Sequence, residues 1–197
     1  MKGKSQSGDK KQTIVLRNKG EWLAWLEKEH TRSSGVWLRL AKKSSGVKSV
    51  SYDEAVDAAL CFGWIDGQGK SDGENYWLLK FTPRGRRSIW SKRNRAKAIA
   101  LMRIREMRPA GIAEVQRAKE DGRWDATYDG PRHIVVPEDL QSALSKNASA
   151  KAFFEGLDGK NRYAILFRIQ TAKKPETRAK RIRTFVEMLA RNEKLYA

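Results

Sequence analysis

Residues 61–97 read CFGWIDGQGKSDGENYWLLKFTPRGRRSIWSKRNRAK, and the hydrophobic period changes at both ends of this run. Just before it, "SYDEAVDAAL" places Ser51 three residues ahead of Glu54, the spacing of a helix-capping box, so a helix is expected to about Leu60. From Phe62 the alternation is strand-like. Phe62, Trp64 and Asp66 share one face, while Gly63 and Ile65 share the other. "DGQGKSDGEN" holds two Asp-Gly pairs and reads as the turn of a hairpin, with "YWLLKF" as the returning strand. The expected strands are therefore Phe62–Asp66 and Tyr76–Phe81. After Phe81 come seven basic residues (Arg84, Arg86, Arg87, Lys92, Arg93, Arg95 and Lys97) with Trp90 among them and no acid.

Outward from the hairpin, "GVWLRLAKK" lies between Ser-Gly breakers and predicts a third strand, Val36–Lys42, in the same antiparallel sheet. "IVL" at Ile14–Leu16 has the composition of a short strand. Trp22, Leu23, Trp25 and Leu26 recur at helical spacing. Beyond Ser91 the signals are helical. Ser91 is placed to cap one helix, Pro109 opens another with Gly122 as its stop, and Pro137-Glu138-Asp139 begins a third. Ser149 and Asp158 are cap candidates, and Pro175 opens the last helix, with Ile182, Phe185, Val186 and Leu189 apolar. The fold class is α+β: a small antiparallel sheet of about three strands with flanking helices, then a helical C-terminal half. The expected division is a flexible basic tail at residues 1–13, an α+β region at 14–130 and a helical region at 131–197.

Lys and Arg number 41 against 23 Asp and Glu, a net charge of +18. Such an excess attracts polyanions: nucleic acid, anionic headgroups or phosphorylated ligands. Seven tryptophans and 40% hydrophobic residues exclude a wholly disordered chain. A lone cysteine, Cys61, excludes an internal disulfide framework and fits a reducing compartment. There is no secretory signal and no apolar run of membrane-spanning length, so a cytoplasmic location is expected. The oligomeric state is not encoded legibly.

Together "SYDEAVDAALCFGWIDG", "KFTPRGRRSIWSKRNRAKA", "DGRWDATYDG", "IVVPEDL" and "AILFRIQTAKKPETRAKRI", in this order, resemble the YdeI/OmpD-associated family, also called OmdA-like or bacteriocin-protection proteins. The resemblance runs from Val36 to Leu189. It implies a link to envelope stress and antimicrobial resistance, and a periplasmic setting from which this chain departs in lacking a secretory signal.

The residues offer one main candidate surface. A helix N-terminus after Ser91, beside the guanidinium groups of Arg84, Arg86 and Arg87, suits a phosphate or carboxylate. The candidate ligand-binding set is Trp64, Asp66, Arg84, Arg86, Arg87, Trp90, Ser91 and Asn94, with Trp90 available for stacking. Its partner is an anionic small molecule or a polyanion, with nucleic acid as the alternative. The other reading of this stretch is a solvated basic turn with Trp90 in the core. Asp66 also has two readings, a turn residue bonded to nearby backbone or a functional acid. As an acid it either pairs with an arginine of the 84–87 segment or serves as the general base of an enzyme. Cys61, between Leu60 and Phe62, reads as a buried structural thiol. His30 and His133 lack metal-ligand spacing, and no cofactor fingerprint occurs, so neither metal nor cofactor is expected and the leading reading is non-enzymatic.

Overall fold

The structure is a computed structural model and describes residues 12–197. Residues 1–11 of the basic tail expected at 1–13 lie outside the described residues; the Gln12 carbonyl accepts from the Trp37 N–H, and Thr13 already opens the first strand. The chain divides into two compact units. The first comprises the described residues up to Ile89 together with Asn94–Asp125, and the second comprises Trp90–Arg93 with Ala126–Ala197.

The first unit is built on a four-stranded sheet of order β1-β2-β4-β3. The strands are β1 (Thr13–Val15), β2 (Val36–Ala41), β3 (Trp64–Asp72) and β4 (Tyr76–Pro83). The β2–β4 and β3–β4 pairs are antiparallel as expected. The short Ile14 segment adds a fourth, parallel strand beside β2, so the sheet is mixed. Helix α1 (Lys19–Glu29) starts at Asn18, whose side chain accepts from the Glu21 N–H. Helix α2 (Tyr52–Cys61) carries the complete Ser51–Glu54 capping box. Both lie on one face of the sheet: Trp22 packs on Phe81 and Trp25 meets Trp64 edge-on, while the Trp22 indole donates to the Ala55 carbonyl at 3.0 Å. Val36, Leu38, Leu40, Leu79 and Phe81 complete this core. Each such side chain buried contributes roughly 1.5–3 kcal/mol.

Two details depart from the expected hairpin. Phe62 and Gly63 end helix α2 instead of starting the strand. Gly63 has φ +71°, a left-handed turn that lets the chain leave the helix and enter β3 at Trp64. The glycine-rich segment is not one long loop either. Strand β3 continues through it with a bulge between Asp66 and Gly69, and the turn shrinks to residues 73–75. Glycine is tolerated there because this is an edge strand, and the Trp77 ring occupies the space a Gly69 side chain would need, 3.3 Å from an added Cβ.

Helix α3 (Lys92–Arg103) follows Ser91, and α4 (Pro109–Glu120) opens on its proline. Gly111 of α4 sits against the end of α2. An added methyl there would lie on the Cys61 carbonyl and 2.7 Å from that of Leu60, while the Arg108 N–H donates to the same Cys61 carbonyl at 3.1 Å. The second unit contains α5 (Glu138–Ser145), α6 (Ala148–Glu155), α7 (Gly159–Gln170) and α8 (Pro175–Ala190). Leu140, Leu144, Phe154, Ile165, Ile169, Ile182, Phe185 and Leu189 form its core. Asp158 caps α7 as expected, but α6 is capped by Asn147, whose side chain accepts from the Ala150 N–H. Ser149 instead donates to the Ala190 carbonyl. Among the described residues no strand follows Lys92, and no helix is long and apolar enough to cross a membrane.

Two outcomes test this packing. Gly111→Ala lowers stability by about 1–3 kcal/mol or more in urea denaturation, the cost of overpacking against backbone, whereas Gly159→Ala, with open space around it, is near neutral. Burial pushes the Cys61 thiol up to about 11 from 9.0, so the native protein reacts with a thiol reagent far more slowly than the denatured one near neutral pH. Because the folded value is the higher one, the stabilisation from keeping this thiol neutral is complete below about 9 and is lost as pH rises towards about 11. Rapid native labelling contradicts this account.

Candidate functional site

The cations of the basic stretch differ in how they are engaged. Lys97 is engaged by two acids of α2, Asp57 at 2.6 Å and Asp53 at 3.2 Å. Arg95 pairs with Asp125 at 3.3 Å and lies over the Trp124 ring. Within the second unit Lys92 binds Asp129 at 2.8 Å, and the Gln170 amide holds the same carboxylate. That ion pair and the amide hold Asp129 below the usual carboxylate range.

The loop after β4 is organised differently. Three arginines of the first unit donate to its carbonyls: Arg84 to Ile89 at 3.4 Å, Arg117 to Arg84 at 3.3 Å and Arg123 to Ser88 at 2.7 Å. Inside the loop the Gly85 N–H donates to the Ser88 hydroxyl and the Ser88 N–H to the Gly85 carbonyl. The Arg84 N–H donates to the Gly63 carbonyl at 2.9 Å, which ties the loop to the start of β3. Arg84 and Arg123 are only 5% and 4% exposed. Their charges are balanced nearby by Glu114, which pairs with Arg117, and by Asp121, which holds Arg123. Burial raises the Glu114 carboxyl above its ordinary range even though Arg117, Arg84 and Arg123 all favour its ionised form. At the tip of this braced loop Arg86 and Arg87 are exposed, and neither forms an ion pair among the described residues.

The other candidates fall in varied places. Trp64 is 1% exposed and its indole donates to the His30 carbonyl at 3.2 Å, so it is a core residue of the first unit. Asp66 lies opposite Phe81 on the helix-covered face, half-buried, and accepts from the Tyr52 hydroxyl at 3.0 Å. Its partner is therefore this phenol and not an arginine of the 84–87 segment. Among the described residues Asp66 forms no ion pair. Asn94 is buried in the first unit. Trp90 and Ser91 are buried and belong to the second unit, where Ser91 bridges to Tyr128 and the Trp90 carbonyl accepts from the Tyr128 N–H. Sequence reading missed Arg117, Arg123 and Glu114, because nothing local signals contacts made across more than thirty positions. Groups of His, Cys, Asp and Glu able to hold a metal ion are absent among the described residues.

Comparison with known proteins divides the chain in two. Residues 133–192 match the family described as Bacteriocin-protection, YdeI or OmpD-Associated. The "IVVPEDL" and "AILFRIQTAKKPETRAKRI" motifs fall in that match, which covers only part of the span from Val36 to Leu189. The two earliest motifs fall instead within residues 14–114, matched by a separate model, Domain of unknown function (DUF8412). No curated protein and no solved structure gives a match. Since residues 14–114 are over half of the 197, the chain belongs to the DUF8412 family and carries an OmdA region behind that domain.

Proposed function

We propose that this chain is a cytoplasmic, non-enzymatic binding protein that captures an anionic group on the loop at residues 84–89. The supporting observation is the division of labour among its arginines. Arg84, Arg117 and Arg123 each donate to a loop carbonyl, and Arg117 and Arg123 also pair with nearby acids. They hold in place a turn whose exposed Arg86 and Arg87 form no ion pair among the described residues. Guanidinium groups fixed in this way lose less freedom on meeting a phosphate or carboxylate, and their paired donors match its oxygens. In this reading Trp64, Arg84 and Asn94 are scaffold, and Asp66 is held by Tyr52. Trp90 and Ser91 are buried in the second unit and take no part in this reading. The lone buried thiol accords with a reducing compartment. The family matched at residues 133–192 is described as bacteriocin-protection, which suggests that the process served is stress or antimicrobial resistance. A general-base role for Asp66 has less support, since its carboxylate is already engaged by a phenol.

The test is calorimetric titration with inorganic pyrophosphate at low ionic strength. Replacing both Arg86 and Arg87 by alanine weakens binding about tenfold or more, as expected for the loss of charge-assisted hydrogen bonds, with the helical circular-dichroism signal unchanged. Lys43→Ala, at an exposed position away from the loop, has little effect. Absence of binding in the parent, or an equal fall for every lysine or arginine removed, overturns the assignment.

A further inference from the structure

The two faces of the sheet are not alike. Helices α1 and α2 cover the face of Leu38, Leu79 and Phe81. The strand registers place Thr13, Val15, Trp37, Arg39, Ile65, Lys70, Asp72, Tyr76, Leu78 and Lys80 on the opposite face. Those side chains are half-buried or exposed, Leu78 excepted, and Val15 reaches 61% exposure.

This face joins aromatic rings to cations. Trp37 stands opposite Lys80 in the β2–β4 pairing, and its ring has the Lys70 ammonium 4.7 Å and the Lys80 ammonium 5.8 Å from its centroid. Tyr76 lies four residues along the pairing, roughly 13 Å at strand rise, with the Arg39 guanidinium 4.0 Å from its centroid. The only acid among these positions is Asp72, which Arg39 already neutralises at 2.6 Å. Lys70 and Lys80 form no ion pair among the described residues. A purely structural face of an antiparallel pair alternates apolar-in with polar-out. Here two large aromatic residues are spent on the outward side, where a cation–π contact contributes only about 0.5–1 kcal/mol.

We propose that this open sheet face binds single-stranded nucleic acid, with bases stacking on Trp37, Tyr76 and the Arg39 plane and phosphates held by Lys70 and Lys80. Flat rings on a solvent-facing sheet suit unstacked bases, which present a π-face whatever their identity. Duplex bases are already stacked on one another and do not offer that face. The lysines now over the rings are within reach of a backbone that would run beside them, and the net charge of +18 favours the encounter. This surface uses residues separate from Arg86 and Arg87, so it stands or falls independently of the loop.

Fluorescence anisotropy with a labelled oligothymidylate of about 15 nucleotides, at the scale of known stacking sites, tests the full chain. The parent binds it, and binds a duplex of equal length at least about tenfold more weakly. Trp37→Ala costs about tenfold or more, while Trp37→Phe, which keeps a stacking ring, retains most of the affinity. Lys70→Glu, at an exposed position, weakens binding and flattens its salt dependence. Should Trp37→Ala fail to fold, Lys70→Glu with Lys80→Glu and the duplex comparison decide the outcome. No binding by the parent overturns the proposal, as does equal affinity for duplex or unchanged affinity in the folded variants. The Arg86 and Arg87 double variant keeps its oligothymidylate affinity within about twofold at physiological ionic strength, where charges beyond about 8 Å are screened. A loss there as large as in Trp37→Ala relocates the site to the loop and also defeats the proposal.

Discussion

A Cβ at residue 63 or at residue 111 would push helix α4 away from the end of α2. Gly63 has Glu114 Cγ at 2.8 Å and the Ala110 carbonyl at 3.0 Å from where that atom would stand, and Gly111 rests on the carbonyls of Leu60 and Cys61. Much of the first unit follows from this contact between backbones. It seals Cys61, it accepts the Arg108 N–H that starts α4, and it sets the distance at which α4 delivers Glu114 and Arg117 to the loop beyond β4. The same Gly63 turns the chain into β3, and its carbonyl receives the Arg84 N–H. The turn out of one helix and the seating of another thereby fix where the guanidinium cluster forms.

Features with a local cause were legible in the sequence. The Ser51–Glu54 box, the Asp158 cap and the openings at Pro109 and Pro175 each depend on residues within one turn of helix. The α+β class followed from the change of period on either side of the hairpin. Asn147, and not the Ser149 read from the sequence, caps α6, because the chain is extended at Asn147 and already helical by Ala148. The segment DGQGKSDGEN carried every mark of a loop, yet cross-strand pairing with β4 extends it as a bulged edge strand.

The candidate site was the least legible part, for a physical reason. A run of like charges in sequence says nothing about which acids meet it in space. Asp57, Asp125 and Asp129 each claim one cation of the run, and that Arg86 and Arg87 stay exposed was not distinguishable beforehand. Trp64 and Trp90 illustrate the same point for aromatic residues. Tryptophan beside basic residues fits a ligand site or a core equally well, and only burial separates the two. Conversely, Trp37 sat inside an ordinary strand pattern, and nothing but the pairing register shows that it faces away from the helices.

Strand β3 has one more implication. A sheet of order β1-β2-β4-β3 has two edges, and an edge is a template on which a strand from another chain can grow. Strand β1 offers only Thr13–Val15 along one side. On the other, the bulge breaks the line of N–H and carbonyl groups, the glycines weaken any extended partner, and Lys70 places a charge along the border. The irregularity that disguised β3 as a loop thus also guards the protein against edge-to-edge aggregation, and a variant that straightened the bulge would gain regular pairing at the expense of solubility.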